Sequence, residues 1–258
     1  MPDTSTVALA PGLAPGTDAD QASGLRRMFG TPAQAWELVL QPALRSELPS
    51  QALAARAQDW AREVGPTLVI DAARTQVAMA LGLRLRFDLE HALAGDCTSS
   101  EACVAASDGL WVLPAARALD HALSDAAHGR RVAQAMDLMA AGMRQVMLIL
   151  PASRANWVRQ FAGPARFASG LIPVSHGAEA GTLVLTAVRQ ALSEAQIDAF
   201  HLLFLGMGEA AAGRLLSGMA AIAHRHFGAT LLAAKPVPET ELAAAGARRS
   251  HRSVENLF

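Results

Sequence analysis

Chemistry on phosphate calls for cations, and this chain supplies them in one form: its positive charge is almost all arginine, and Lys235 is its only lysine. No phosphate-binding lysine can therefore stand in the first 234 residues. Histidine offers metal or acid–base chemistry in two places. His201, His224 and His226 carry ligand-type nitrogens, but His-x-His on a helix points its rings to different faces, and no acidic or cysteine companion follows at ligand spacing. They read as surface histidines, and no metal is expected. Asp88, His91, Asp120, His121 and Ser124 contain the parts of a nucleophilic triad, yet no Gly-x-Ser-x-Gly turn presents a nucleophile. They read as polar loop residues. Cys97 and Cys103 are the only cysteines. Without CxxC spacing they read as small hydrophobes of a helix or its flank in a reduced protein.

One short segment stands apart, Asp20-Gln21-Ala22-Ser23-Gly24-Leu25-Arg26. Asp20 can cap a helix, and Ala22, Leu25 and Phe29 fall at spacings of three and four, which marks one apolar stripe. A helix this short is marginal alone and orders fully only against a partner surface. Residues 1–17, with Pro2, Pro11, Pro15, Gly12 and Gly16 among small residues, read as a flexible leader that delivers it. The expected organisation is thus leader 1–17, N-terminal helix 18–30, an α/β domain over 34–238 and a flexible basic tail over 239–258.

The elements of that domain follow from periodicity. At 258 residues and 52% hydrophobic, the chain can bury one sizeable core. Trp36–Leu40 reads as a buried strand. Gln51–Val64 reads as an amphipathic helix with Leu53, Ala57, Trp60, Ala61 and Val64 inward, stopped by Gly65-Pro66, and Thr67–Asp71 as the next strand. Strand, loop, helix, strand is the unit of a parallel sheet. Further strands are expected at Leu110–Leu113, Gln145–Leu150, Gly170–Val174, Phe200–Leu205 and Ala229–Ala233. Helices are expected at Ala127–Met143, with Val132, Met136, Met139 and Met143 on one face, at Ala180–Leu192 and at Glu209–Phe227. The alternation predicts a doubly wound, mostly parallel α/β sheet with helices on both faces.

Net charge is −1, so no broad field draws the protein to nucleic acid or anionic lipid, and Arg26-Arg27 is too short for a nucleic-acid patch. No basic start precedes an apolar core, and no run approaches the roughly 18 apolar residues of a membrane span, so export and insertion are not expected.

Several of these pieces carry a resemblance. Asp20–Arg26 is similar to the DQAxxLR motif that opens FlhG (FleN) proteins, the MinD/ParA-type ATPases that control flagellar number and placement. Leu68-Val69-Ile70-Asp71-Ala72 resembles the strand that ends in an aspartate after the first helix of such proteins. Leu81-Gly82-Leu83-Arg84, Phe87-Asp88-Leu89, Leu93-Ala94-Gly95 and Gly109-Leu110-Trp111-Val112-Leu113-Pro114 resemble, in order and spacing, the family's LGLRPRYDL, LxGE and GLxVLPA segments. A weaker likeness covers Gly206–Phe227.

The resemblance implies a P-loop NTPase fold that uses ATP and magnesium, and the residues such a site needs are missing here. A P-loop wraps phosphate with glycine-spaced amides, a lysine and a Ser/Thr hydroxyl on Mg²⁺. The loop expected between the first strand and helix, Gln41-Pro42-Ala43-Leu44-Arg45-Ser46-Glu47-Leu48-Pro49-Ser50, has no glycine and two prolines, and Glu47 would face phosphate with like charge. Arg45 could touch an anion without rebuilding the nest. Where the family carries Asp-x-Gly-x-Gly at a strand end, this chain has Met147-Leu148-Ile149-Leu150-Pro151-Ala152-Ser153, with Pro151 in the aspartate's place. Asp71 is kept, but its usual acidic neighbour is Ala73, and the aspartate reads as a structural acceptor or cap. Ser46 and Ser50 are the loop's only hydroxyls.

The resemblance further implies that the N-terminal helix docks on FlhF, a signal-recognition-type GTPase at the flagellar pole, and stimulates it. Gln21 would order the attacking water, since an amide both accepts from water and donates to a phosphate oxygen. Asp20 would cap the helix, Leu25 would anchor its apolar face, and Arg26 would pair with acidic or phosphate groups. The implied protein is cytoplasmic, recruited to the cell pole or inner membrane through partners, with no bound cofactor. Its tail makes at most weak membrane contact. Two other readings stay open. One is a divergent ATPase with a cryptic site; the other is a nucleotide-independent scaffold that self-associates or pairs with another MinD-like protein.

Overall fold

The central strands of this chain are short apolar runs, Leu38-Val39-Leu40, Leu68-Val69-Ile70 and Val146-Met147-Leu148-Ile149-Leu150, and all of these residues are buried. A strand apolar on both faces is stable only where both faces are covered, which favours a parallel sheet between helices. The computed structural model describes residues 34–42, 48–161 and 166–234. The chain divides into two units, Met1–Ala33 and Gln34–Phe258, and every described residue belongs to the second. The leader, the segment Asp20, Gln21, Ala22, Leu25, Arg26 and Phe29, the loop residues Arg45, Ser46 and Glu47, and the basic tail lie outside the described residues.

The strands are β1 Ala35–Gln41, β2 Thr67–Asp71, β3 Val104–Ser107, β4 Leu110–Pro114, β5 Gln145–Pro151, β6 Gly170–Ser175, β7 Ala199–Leu205 and β8 Thr230–Ala233. They form one sheet in the order β3-β4-β2-β5-β1-β6-β7-β8. All neighbours are parallel except β3, which pairs antiparallel with β4. The doubly wound, mostly parallel sheet expected from the sequence is the one the chain forms. β3 was not foreseen: its Val-Ala-Ala-Ser is short, small and half exposed, the composition of an edge strand rather than of a core run.

The helices are α1 Leu48–Glu63, α2 Val77–Ala80, α3 Leu89–Ala94, α4 Ser99–Ala102, α5 Ala116–Ala122, α6 Ala126–Met139, α7 Ala180–Ala195 and α8 Glu209–Phe227, with a 3₁₀ segment at Ala152–Gln160. Several expected boundaries move. The first helix begins at Leu48 rather than Gln51, because Pro49 suits the first turn, where a missing N–H costs nothing. It ends at Glu63, and Val64, expected inside, is 42% exposed, since Val64 and Gly65 both donate to the Trp60 carbonyl and turn the chain away. The helix expected to reach Met143 stops at Met139, and Gly142, at φ 84°, turns the chain toward β5. Met143 still packs on the core, from outside the helix.

Side-chain alternation splits the core into two layers. Leu38, Leu40, Leu68, Ile70, Leu148 and Phe200 face the layer built with α3 to α8 and the 3₁₀ segment. Val39, Val69, Met147, Ile149 and Leu203 face the other, which is filled chiefly by Leu53, Ala54 and Ala57 of α1. Among the described residues no helix is long and apolar enough to cross a membrane.

Candidate functional site at the carboxyl edge of the central strands

From β1 the chain moves first to β2 on one side and later, through β5, to β6 on the other. Reversals of this kind open a crevice outside the carboxyl ends of the strands, where doubly wound sheets bind their ligands. The residues that end those strands are Gln41, Pro151 and Ser175.

Gln41 pairs in register with Pro151 across the parallel β1–β5 ladder. Its Nε2 donates to the Pro42 carbonyl at 3.2 Å, while its Oε1 is buried with no hydrogen-bond partner. Pro42 is buried directly after it. Prolines thus stand at the carboxyl ends of two adjacent strands, directly after β1 at position 42 and as the last residue of β5 at position 151, and neither offers a backbone N–H. Ser175 is buried at the end of β6 with its hydroxyl unpartnered, and Trp157 Nε1, in the 3₁₀ segment that follows β5, is buried and unpartnered too. Ser50 is buried within the first turn of α1, so it belongs to the helix and not, as the sequence suggested, to the loop before it.

Asp71, at the end of β2, is committed to its own loop. One carboxylate oxygen accepts from the N–H groups of Ala73 at 3.0 Å and Thr75 at 3.2 Å; the other accepts the Thr75 hydroxyl at 3.0 Å. Burial pushes its carboxyl above the usual range, and the bonds from Thr75 and Ala73 offset this only in part. The same loop holds Arg74 and Gln76 in the left-handed region, at φ 54° and 63°. Such residues cost about 1–3 kcal/mol each, and the three bonds to Asp71 hold the loop in that shape.

Among the described residues, two arginines in the segments that follow β2 and β5 are already paired. Arg74 donates to Asp120 at 2.7 Å, and Arg154, from the 3₁₀ segment, donates to the other Asp120 oxygen at 2.5 Å. Burial raises the Asp120 carboxyl, but Arg154 and Arg74 outweigh it and hold it below the ordinary value. One aspartate on α5 thereby ties the loop after β2 to the 3₁₀ segment after β5 and occupies the guanidinium groups of Arg74 and Arg154.

Of the triad-like residues, His91, Asp120 and His121 prove to be helix residues, whereas Asp88 stands just before α3 and Ser124 lies in a turn. Asp88 caps two helices at once: it accepts from Glu90 N–H at 3.0 Å in α3, and from Arg117 and Ala118 N–H at 3.2 and 3.3 Å in the first turn of α5. His91 Nδ1 accepts from Asp88 N–H at 3.0 Å and completes the cap. The double cap brings α3 against α5, and there Glu90 meets His121 and His128, a constellation that the sequence reading missed. His224 and His226 are exposed on α8, and His201 is half-buried on β7.

No protein-family profile matches the chain, and no curated protein matches it in sequence. Solved structures do. The MinC:MinD cell division protein complex of Aquifex aeolicus matches at 17% identity, over 84% of this chain and 86% of the other, with a TM-score of 0.58. Apo McdA of Cyanothece matches at 13% identity, over 81% and 90%, with a TM-score of 0.56. A ParA family ATPase from Chlorobium tepidum matches at 12% identity, over 83% and 90%, with a TM-score of 0.54. The chain thus has the fold of the MinD/ParA-type P-loop ATPases.

Proposed function

We propose that this protein is a FlhG-like regulator whose MinD-type body is a pseudo-ATPase, and whose N-terminal segment binds and stimulates a FlhF-type GTPase. The observation that carries the first half is the pairing of Gln41 with Pro151. In a P-loop ATPase fold these two strand ends supply the start of the phosphate loop and the Walker B aspartate. Here they are an amide followed by proline, and a proline. There is no lysine before Lys235, and Arg45, the one cation of the loop after β1, has no glycine-spaced amides around it. Asp71, the acid retained in that pocket, spends both oxygens on its own loop.

The second half rests on Asp20–Arg26 preceding a body of this fold. A domain that no longer cycles with ATP still offers a rigid surface and a tethered helix. Gln21 would order the attacking water on the GTPase, Leu25 would anchor the apolar face, and Asp20 and Arg26 would cap and orient the helix. One MinD in the comparison is seen in complex with MinC, and association of this body with itself or a MinD-like partner belongs to the same reading.

The test is GTP turnover by a FlhF-type GTPase dimer with the full chain, with Gln21→Ala and with Leu25→Asp. Wild type should accelerate hydrolysis. Gln21→Ala should bind with little acceleration, because positioning of the water is lost. Leu25→Asp should lose both, because a charge enters an apolar contact. Equal turnover with all three would refute the reading.

A further inference from the structure

Away from the strand ends, three helices converge on one group of donors. Glu90 of α3 bridges two imidazoles: its Oε1 lies 2.9 Å from His121 Nδ1 on α5, and its Oε2 lies 2.9 Å from His128 Nε2 on α6. One donor atom from each of the three residues lies within 4.8 Å of the others. The Glu90 and His128 side chains are only 19% and 16% exposed, whereas His121 is 63% exposed, so the group has a sheltered floor and one open side.

We propose that Glu90, His121 and His128 form a binding site for a divalent transition-metal ion of the zinc type. Two imidazoles and one carboxylate are a ligand set that zinc accepts, with bonds of about 2.0–2.2 Å and a remaining position for water. Donors within 4.8 Å of one another close onto such an ion through small side-chain rotations. With both imidazoles neutral the group carries one negative charge, which attracts a dication and offsets half of its charge. The open side at His121 supplies the entry path.

The backbone holds the donors in place without the ion. Asp88 caps α3 and α5 together, which fixes Glu90 and His121 on adjoining turns. Gly129, next to His128, lets α6 approach α5 closely: a Cβ there would come within 3.3 Å of the Ala122 carbonyl oxygen. Pre-organisation of this kind lowers the cost of ordering ligands on binding. Its three ligands are none of the residues assigned to the strand-end edge, so the proposal does not rest on whether ATP binds.

The experiment is calorimetric titration of the chelator-treated full chain with Zn²⁺ alone, repeated with Co²⁺ and followed by its visible absorption. Wild type should bind one equivalent with micromolar or tighter affinity, and the ion should raise the urea midpoint of unfolding. Glu90→Gln and His121→Ala should each weaken binding by at least about 10-fold and abolish the midpoint shift. His121 is exposed, so its variant keeps the fold. His224→Ala, on a distant helix, should change neither. Absence of binding in the wild type, or wild-type affinity in Glu90→Gln and His121→Ala, would overturn the proposal.

Discussion

Gln41 and Pro151 face each other in register at the carboxyl ends of β1 and β5, the pair on which the proposed loss of nucleotide chemistry rests. Neither presents a charged group, and Pro151 has no amide. Under the proposed pseudo-ATPase reading this edge is not built for phosphate; the buried, unpartnered Gln41 Oε1 fits that reading, since an acceptor oxygen repels an anion.

The first prediction concerns Asp71, whose folded-state carboxyl titrates above its unfolded value of about 3.8. The folded protein therefore holds that proton more tightly than the unfolded chain. Its contribution is fully present below the unfolded pKa and is lost as pH rises through the folded one. Asp71→Asn keeps an acceptor for Ala73 and Thr75 without a charge. Relative to wild type it should gain stability as pH rises above about 4, read from urea midpoints. A wild type that gains on the variant as pH rises would contradict the assignment.

Asp88 gives the second prediction. Asp88→Ala strips an acceptor from three helix N-terminal amides, those of Glu90, Arg117 and Ala118. A single lost cap costs roughly 1 kcal/mol, and a double cap should cost about 2 kcal/mol or more. Asp88→Asn, which keeps an oxygen, should recover part of it. Equal midpoints for Asp88→Ala and wild type would show that α3 and α5 are not joined through this residue.

Cysteine chemistry supplies the third. Burial pushes the Cys103 thiol up to about 11, so little thiolate forms near pH 8. The smaller thiolate fraction outweighs the greater nucleophilicity of each thiolate, and alkylation should run roughly 10-fold slower than at an ordinary thiol. Mass-resolved alkylation of native and urea-unfolded protein reads this directly. Equal rates in the two states would contradict it.

How much of this could be read in advance depended on how local each signal was. The central strands were legible because Leu38–Leu40 and Val146–Leu150 are unbroken apolar runs, and α8 was legible at both ends because Gly208 and Gly228 punctuate it. Pro151 stood out by its position after such a run. Glu90, His121 and His128 did not, because they lie 31 and 38 residues apart along the chain and meet only through three helices. The Asp88 cap joins helices 29 residues apart for the same reason. The pairing of Arg74 and Arg154 by Asp120 was equally hidden, being a contact between two loops and a helix that share no sequence period.

The central claim, a MinD fold that no longer uses ATP, meets its most direct test in calorimetric titration of the full chain with Mg-ATP, with sedimentation alongside. The missing lysine, glycine loop and Walker B aspartate predict binding no tighter than about 1 mM and no ATP-dependent dimer. Micromolar binding, or dimers that form only with ATP, would contradict the account and make the protein a divergent ATPase.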